Sequence, residues 1–212
     1  MYIPTAFAET DTVALHEFMR RYSFAVLISH GNEGLLANHV PLLLDVEGAP
    51  QGVLLGHMAR ANPQWDQVEG EVMAVFSGPH AYVSPAWYGE AETVPTWNYV
   101  AVHAHGTFHV IEDKDILLSI LRRSVQFYES RRESPWDFVD SAPHIDRLLE
   151  AIVGFRVVIK RLEGKRKLSQ NHTEVRRRRV IQALAGQPDD DSQAIARLMA
   201  EDLDRPVDPA RT

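Results

Sequence analysis

The chain has 212 residues, 45% of them hydrophobic and 24% charged, with a formal net charge of −7. That composition describes an ordinary globular protein able to bury roughly 70% of its unfolded surface without staples. The absence of cysteine excludes disulfides, thiolate metal sites and cysteine nucleophiles.

Asp11 is placed to cap a first helix, in which Ala14, Leu15, Phe18, Met19 and Tyr22 recur at helical spacing. Phe24 to Ser29 reads as a short strand, and Asn32-Glu33-Gly34 as a tight turn into a second strand, Leu35 to Leu44. Val53 to His57 is a third strand, followed by a predicted helix from Met58 to Val68 with Pro63 in its first turns. Glu71 to Phe76 is a fourth strand closed by Gly78-Pro79, with Ala81 to Ser84 extending it or starting another. Pro85 to Pro95 reads as a loop, and the long strand Thr96 to Val110 follows.

That strand has two unlike faces, because side chains alternate sides. Val100, Val102, Ala104, Phe108 and Val110 form an apolar wall. Trp97, Tyr99, His103, His105 and His109 point the other way, which suits a binding site or a subunit contact. His103 and His105 have a spacing that can chelate zinc. No neighbouring carboxylate in sequence completes the set, so bonding across strands or at the subunit contact is the favoured role.

Asp113 starts the clearest helix, with Ile116, Leu117, Ile120, Leu121, Ser124, Phe127 and Tyr128 on one face. His144 to Ala151 reads as another helix and Gly154 to Leu162 as a late strand. A basic helix from Thr173 to Leu184 ends near Gly186, and an acidic, Ser-capped helix runs from Ser192 to Leu203. From Lys160 to Arg179 the charge is +7, whereas Gln187 to Thr212 carries −4. A basic block inside an acidic protein points to a local anion site. Short strands with turn signals and few helices predict a mainly β fold with helical trim, a small antiparallel barrel of Greek-key type. The start Met-Tyr-Ile-Pro carries no secretory signal and no run reaches the roughly 20 apolar residues of a membrane span, so a cytoplasmic protein with no membrane partner is expected.

Several words in order, GHMARANPQW (56–65), FSGPHAYVSPAWY (76–88), VPTWNYVAVHAHG (94–106), AIVGF (151–155) and GKRKLSQN (164–171), with the opening MYIPTAF, carry a resemblance. The chain resembles the PaiB-like family of FMN-binding negative transcriptional regulators over about residues 1 to 185. The resemblance implies an FMN-binding split barrel, a fold shared with pyridoxamine-phosphate oxidases and flavin reductases. It implies a homodimer with the flavin at the subunit contact, and FMN as cofactor. Residues 1–186 then form the split-barrel domain, and the acidic 187–212 segment is peripheral.

The chain has no GxGxxG and no GxxxxGK[ST], so side chains must meet the flavin phosphate. Arg60 sits where the strand ending at His57 gives way to the predicted helix. Helix amides and a bidentate guanidinium favour an anion there, with His57 as a further donor. The alternative is Arg60 paired with Asp66 or Glu69. Thr96 and Asn98 are placed to hydrogen-bond phosphate or ring, and Trp97 and Tyr99 to cover the ring or pack the dimer contact. Lys165, Lys167 and Gln170 of GKRKLSQN either add charge to a phosphate or lie on a solvated loop, with Gly164 turning and Ser169 or Asn171 capping the basic helix.

No GxSxG, HExxH or paired-carboxylate word appears, so no catalytic residue is assigned. The alternatives to the regulator are an FMN-dependent oxidoreductase, in which the cofactor carries the redox chemistry, and a haem-binding split barrel using a histidine. If DNA is a partner, Lys165, Arg166, Lys167, Arg176, Arg177, Arg178 and Arg179 are the contacts, with little sign of base readout.

Overall fold

The computed structural model describes residues 1–89, 93–136, 138 and 145–204. In chain order its elements are β1 (Ala8–Glu9), α1 (Thr12–Arg21), β2 (Phe24–Gly31), β3 (Gly34–Pro41), β4 (Leu43–Asp45), β5 (Val53–Ala59), α2 (Gln64–Gln67), β6 (Glu69–Val83), β7 (Thr96–Ile111), α3 (Lys114–Glu129), α4 (Ile145–Glu150), β8 (Ile152–Lys167), α5 (Glu174–Ala185) and α6 (Asp190–Asp204). A 3-10 turn covers Pro85–Tyr88. The strands follow the order β3-β2-β6-β7-β8-β5-β4, and β1 pairs with β8. The ladders of β1 on β8, of β2 on β3 and β6, and of β5 on β4 and β8 are all antiparallel.

Two compact units share the chain. The first takes residues 1–18, 77–102 and 163–212, and the second 19–76 and 103–162. The first unit builds its core from β6, β7 and the helices that follow β8. Ala81, Val83, Tyr88, Val100, Leu168, Val180, Leu184, Ile195, Ala196 and Met199 form one buried cluster. The acidic C-terminal segment, expected at the periphery, therefore sends α6 into this core. Ile195 and Met199 are completely buried, and each such side chain contributes roughly 1.5–3 kcal/mol through lost apolar exposure. That outweighs the pull of its acidic face toward water. Asp189, not Ser192, caps the helix: its Oδ1 accepts from the Ser192 amide at 2.8 Å.

In the second unit Leu27, Leu42, Leu54, Phe76, Phe155 and Val157 are fully buried. Phe108 stacks on Phe155 with ring centroids 5.0 Å apart. β5 has no side chain at Gly56, so Phe155 and Leu42 lie directly over its backbone; an added Cβ would meet Phe155 Cζ at 2.6 Å. Asp113 caps α3 as its position predicts, with Oδ1 accepting from the amides of Asp115 (2.9 Å) and Ile116 (3.0 Å). Asp113→Ala is expected to cost about 1 kcal/mol, measured as a lowered urea midpoint with an unchanged slope.

The structure differs from the sequence-based expectation at four joints. The predicted second strand is interrupted at Leu42, whose amide leaves the ladder to donate to the Ser23 carbonyl at 2.8 Å. The predicted helix from Met58 shrinks to the single turn Gln64–Gln67, since β5 runs on to Ala59. β6 passes through Gly78-Pro79 without stopping. β8 continues past Leu162 to Lys167, so Gly164, Lys165 and Lys167 belong to a strand and not to a loop.

Candidate functional site

The even and odd positions of β7 separate as predicted as far as Gly106. Beyond it Phe108 is only partly buried, and Val110, expected in the apolar wall, is exposed where the strand ends. Asn98, Val100, Val102, Ala104 and Gly106 are buried, whereas Trp97, Tyr99, His103 and His105 are at least partly exposed. In the first unit this alternation sends Thr96 and Asn98 to one side of the strand and Trp97 and Tyr99 to the other.

On the Thr96 side, the start of β7 meets the end of β8. Lys167 Nζ donates to Thr96 Oγ1 and, at 2.6 Å, to the Trp97 carbonyl. The chain then turns through Ser169, a non-glycine residue held at φ 63°. Such a left-handed residue persists only where its surroundings fix it. Here they do. Ser169 and Asn98 are buried and joined side chain to side chain at 3.0 Å. Gln170 accepts from the Leu168 amide and donates to the Arg166 carbonyl, both at 2.7 Å. The turn delivers His172 and then the first turn of α5, in which Arg176 Nη1 lies 3.5 Å from His172 Nδ1.

These groups line a cavity of about 240 Å³. Thr96, Asn98, Lys167, Ser169, His172 and Arg176 supply its polar wall, and no described acidic side chain lines it. Lys167 is held below the usual lysine value, first by burial and then by the neighbouring Lys165 ammonium. A cation so placed gains from an incoming anion, which relieves both effects. The amino end of α5 lies at the same place and favours negative charge.

The other predicted site residues have different settings. Lys165 is buried, donates to the Tyr2 carbonyl at 3.0 Å and sits 5.1 Å from the Tyr99 ring centre and 5.6 Å from that of Tyr2. Trp97 is 53% exposed and Tyr82 47%. With His80 they form an aromatic group whose ring centroids lie about 6 Å from Trp97 (6.0 Å for His80, 5.9 Å for Tyr82). His57 and Arg60 belong to the second unit. His57 is partly buried, and that burial lowers its pKa. Arg60 Nε donates to the Glu150 carbonyl (2.9 Å) and Nη2 to that of Ile152 (3.0 Å), joining the end of β5 to the start of β8. No helix begins beside Arg60; the α2 turn starts four residues later.

The basic run does not present one solvated face. Arg177 is buried against Asp202 at 2.7 Å. Arg179 donates to the Tyr88 carbonyl at 2.6 Å, and Arg166 lies 3.9 Å from Glu9. Arg178 is broadly exposed but bonded to Glu174 at 2.7 Å. Arg176 turns to the cavity. Thr93, His172 and Arg176 are cavity residues that the sequence alone did not assign to it. The visible signal was the basic stretch running into a basic helix. The N-cap position of that helix is Thr173, with no side-chain capping bond, and not the expected Ser169 or Asn171.

Comparison with known proteins places these observations in a family. A family model for a "Putative FMN-binding domain" matches residues 1–161. The "Protease synthase and sporulation protein PAI 2" of Bacillus subtilis is 34% identical, over 98% of this chain and 100% of that protein. Among solved structures, the flavocytochrome Anf3 of Azotobacter vinelandii superposes with a TM-score of 0.60 at 14% identity, covering 76% of this chain and 69% of that one. The FAD and haem binding protein of Mycobacterium smegmatis gives 0.58 at 13% identity, covering 76% and 73%. At these identities the two structures speak to the fold, and they bear out the expected split barrel.

Proposed function

This chain belongs to the FMN-binding domain family matched by that model, and from that premise we propose that it is a cytoplasmic, homodimeric FMN-binding regulator of the PaiB type, with the flavin phosphate in the Lys167 cavity. The observation that carries the site is the acid-free polar wall holding Lys167, Arg176 and Thr96 at the amino end of α5. The cavity suits a phosphoryl head; a flavin ring must lie outside it. Lys167 and Arg176 balance the dianion, and Thr96 and Ser169 offer hydroxyls. Asn98, Gln170 and Lys165 hold β7, the Ser169 turn and β8 in position. When bound, FMN supplies redox chemistry that no side chain here provides. The exposed Trp97, Tyr82 and His80 group supports a contact with a second copy around the flavin.

Titration of FMN into the full chain tests this. Lys167→Met should weaken binding at least tenfold, about 1.4 kcal/mol, while Arg60→Gln leaves it unchanged. The opposite pattern would move the phosphate to the second unit. The pH profile adds a second readout. FMN phosphate becomes a dianion above about pH 6. Protonated Lys167 holds it fully below the lysine's lowered pKa, so affinity falls as pH rises through that value, earlier than an ordinary lysine near 10.5 would allow. Lys167→Met should abolish this alkaline limb.

Regulation then lies in flavin occupancy. Direct DNA contact through the basic run would rest mainly on the exposed Arg178 and Arg179, already bonded to Glu174 and to the Tyr88 carbonyl. In a gel-shift titration on promoter DNA, the double variant Arg178→Ala with Arg179→Ala should behave as the unchanged chain does; a salt-sensitive shift lost in that variant would restore the basic run as a DNA contact.

A further inference from the structure

The second unit contains a larger cavity, about 460 Å³, within the ordinary range for small-molecule sites. None of the residues assigned to flavin lines it. Val53, Leu55 and Ile120 form an apolar floor, and Val110 and Ile116 extend it to the surface, 39% and 52% exposed. Exposed aliphatic side chains around a concave floor are a standing gain for any apolar body that covers them.

The charges around this floor divide into committed and uncommitted groups. Arg123 is bound to Asp45 at 2.9 Å. Burial opposes ionisation of Asp45, but the amides of Glu47 and Gly48 and the Arg123 guanidinium outweigh it and hold the carboxyl below its ordinary value. Asp113 is occupied in capping α3. That leaves Glu112 at the end of β7 and Arg156 on β8. Both line the cavity, and among the described residues neither side chain has an ion-pair partner. They carry opposite charge yet do not pair with each other, so a ligand that satisfies both must itself carry both signs.

We propose that this cavity binds a small zwitterion with an apolar body, of the amino-acid class. Its carboxylate meets the Arg156 guanidinium, which suits planar two-oxygen recognition. Its ammonium meets Glu112, and its side chain covers the Val53, Leu55 and Ile120 floor and the exposed Ile116 beside it. Such a site would make a flavin-binding protein responsive to a second metabolite.

The test is calorimetric titration of the full chain with L-phenylalanine, 3-phenylpropionate (carboxylate only) and 2-phenylethylamine (ammonium only). Saturable binding of phenylalanine, at least tenfold tighter than either one-charge analogue, is expected. Arg156→Gln and Glu112→Gln should each cost tenfold or more. FMN titration of the same two variants should be unchanged, which separates this site from the Lys167 cavity. Absence of saturable phenylalanine binding would overturn the proposal. So would equal affinity for 3-phenylpropionate, or binding indifferent to both substitutions.

Discussion

Gly106→Ala is expected to destabilise the protein by about 3 kcal/mol, the upper part of the usual range for forcing atoms into a filled interior. Gly106 lies in β7 and is buried. A Cβ there would fall well inside contact distance of the Val158 carbonyl oxygen, and 2.9 Å from both Val157 Cγ1 and the Val158 carbonyl carbon. Two of those three atoms are backbone of β8. A flexible side chain can swing away from an intruding methyl, whereas a strand held in a ladder with β5 can move only by disturbing its own pairing. Gly34 is the contrast: nothing lies within 4 Å of its Cβ position, and its cost is conformational, set by a φ of +119°. Urea denaturation of the two Ala variants separates the cases. A Gly106→Ala midpoint equal to that of the unchanged chain would mean that β7 and β8 do not approach this closely.

Gly106 also shows what kind of information the sequence carried. The apolar alternation of β7 was plain, because a period of two sustained over so many residues fits a half-buried strand and no helix. The amphipathic face and Asp113 cap of α3 were equally plain. A glycine required by the partner strand left no such mark, since the atoms that exclude a methyl lie about 50 residues away. β6 misled for a related reason. Gly78-Pro79 has the look of a turn, but in the first unit Gly78 lets the Phe18 ring approach its backbone (2.7 Å from an added Cβ) and the strand runs on. The helix predicted from Met58 failed because Met58 and Ala59 finish β5, paired with Val153 and Ile152.

The site was half legible. Thr96, Asn98 and Lys167 were named from the sequence and line one cavity. Their grouping with His172 and Arg176 was hidden, because Gly164 suggested a turn where the strand in fact continues. Cations such as Lys165 and Lys167 look solvated in the bare sequence; in the strand they alternate with Arg166 and are held by Tyr2, Tyr99 and Thr96. The basic run gave the converse lesson. Its charge pointed to a local anion site, with the whole run as the contacts if DNA is a partner. Yet Arg177 is buried against Asp202, and Arg179, though exposed, is bonded to the Tyr88 carbonyl. Net charge reports how many cations exist, and only the fold decides how many face water.

The fate of Arg177 leads to the other large effect. Asp202→Ala is expected to cost about 3 kcal/mol or more, because it removes one partner of a buried ion pair and leaves the other charge uncompensated. Arg177 Nη2 donates to Asp202 Oδ2 at 2.7 Å, and their side chains are only 11% and 6% exposed. Arg177 Nε is buried without a hydrogen-bond partner among the described residues, so the guanidinium has little else to lean on. The pair locks α6 against α5 beside the apolar contacts of Val180, Leu184, Ile195 and Met199. Replacing both partners, as Arg177→Met with Asp202→Leu, should recover most of the loss, since apolar groups of similar volume serve a buried position at least as well as a desolvated pair. If the double variant is no better than Asp202→Ala alone, the charge is not the cause. Neither residue lines the Lys167 cavity, so FMN affinity of the folded fraction should stay within about twofold in both variants. A collapse of affinity together with stability would instead mean that the α5–α6 lock sets the position of Arg176, and that the phosphate site and the C-terminal helix act as one structure.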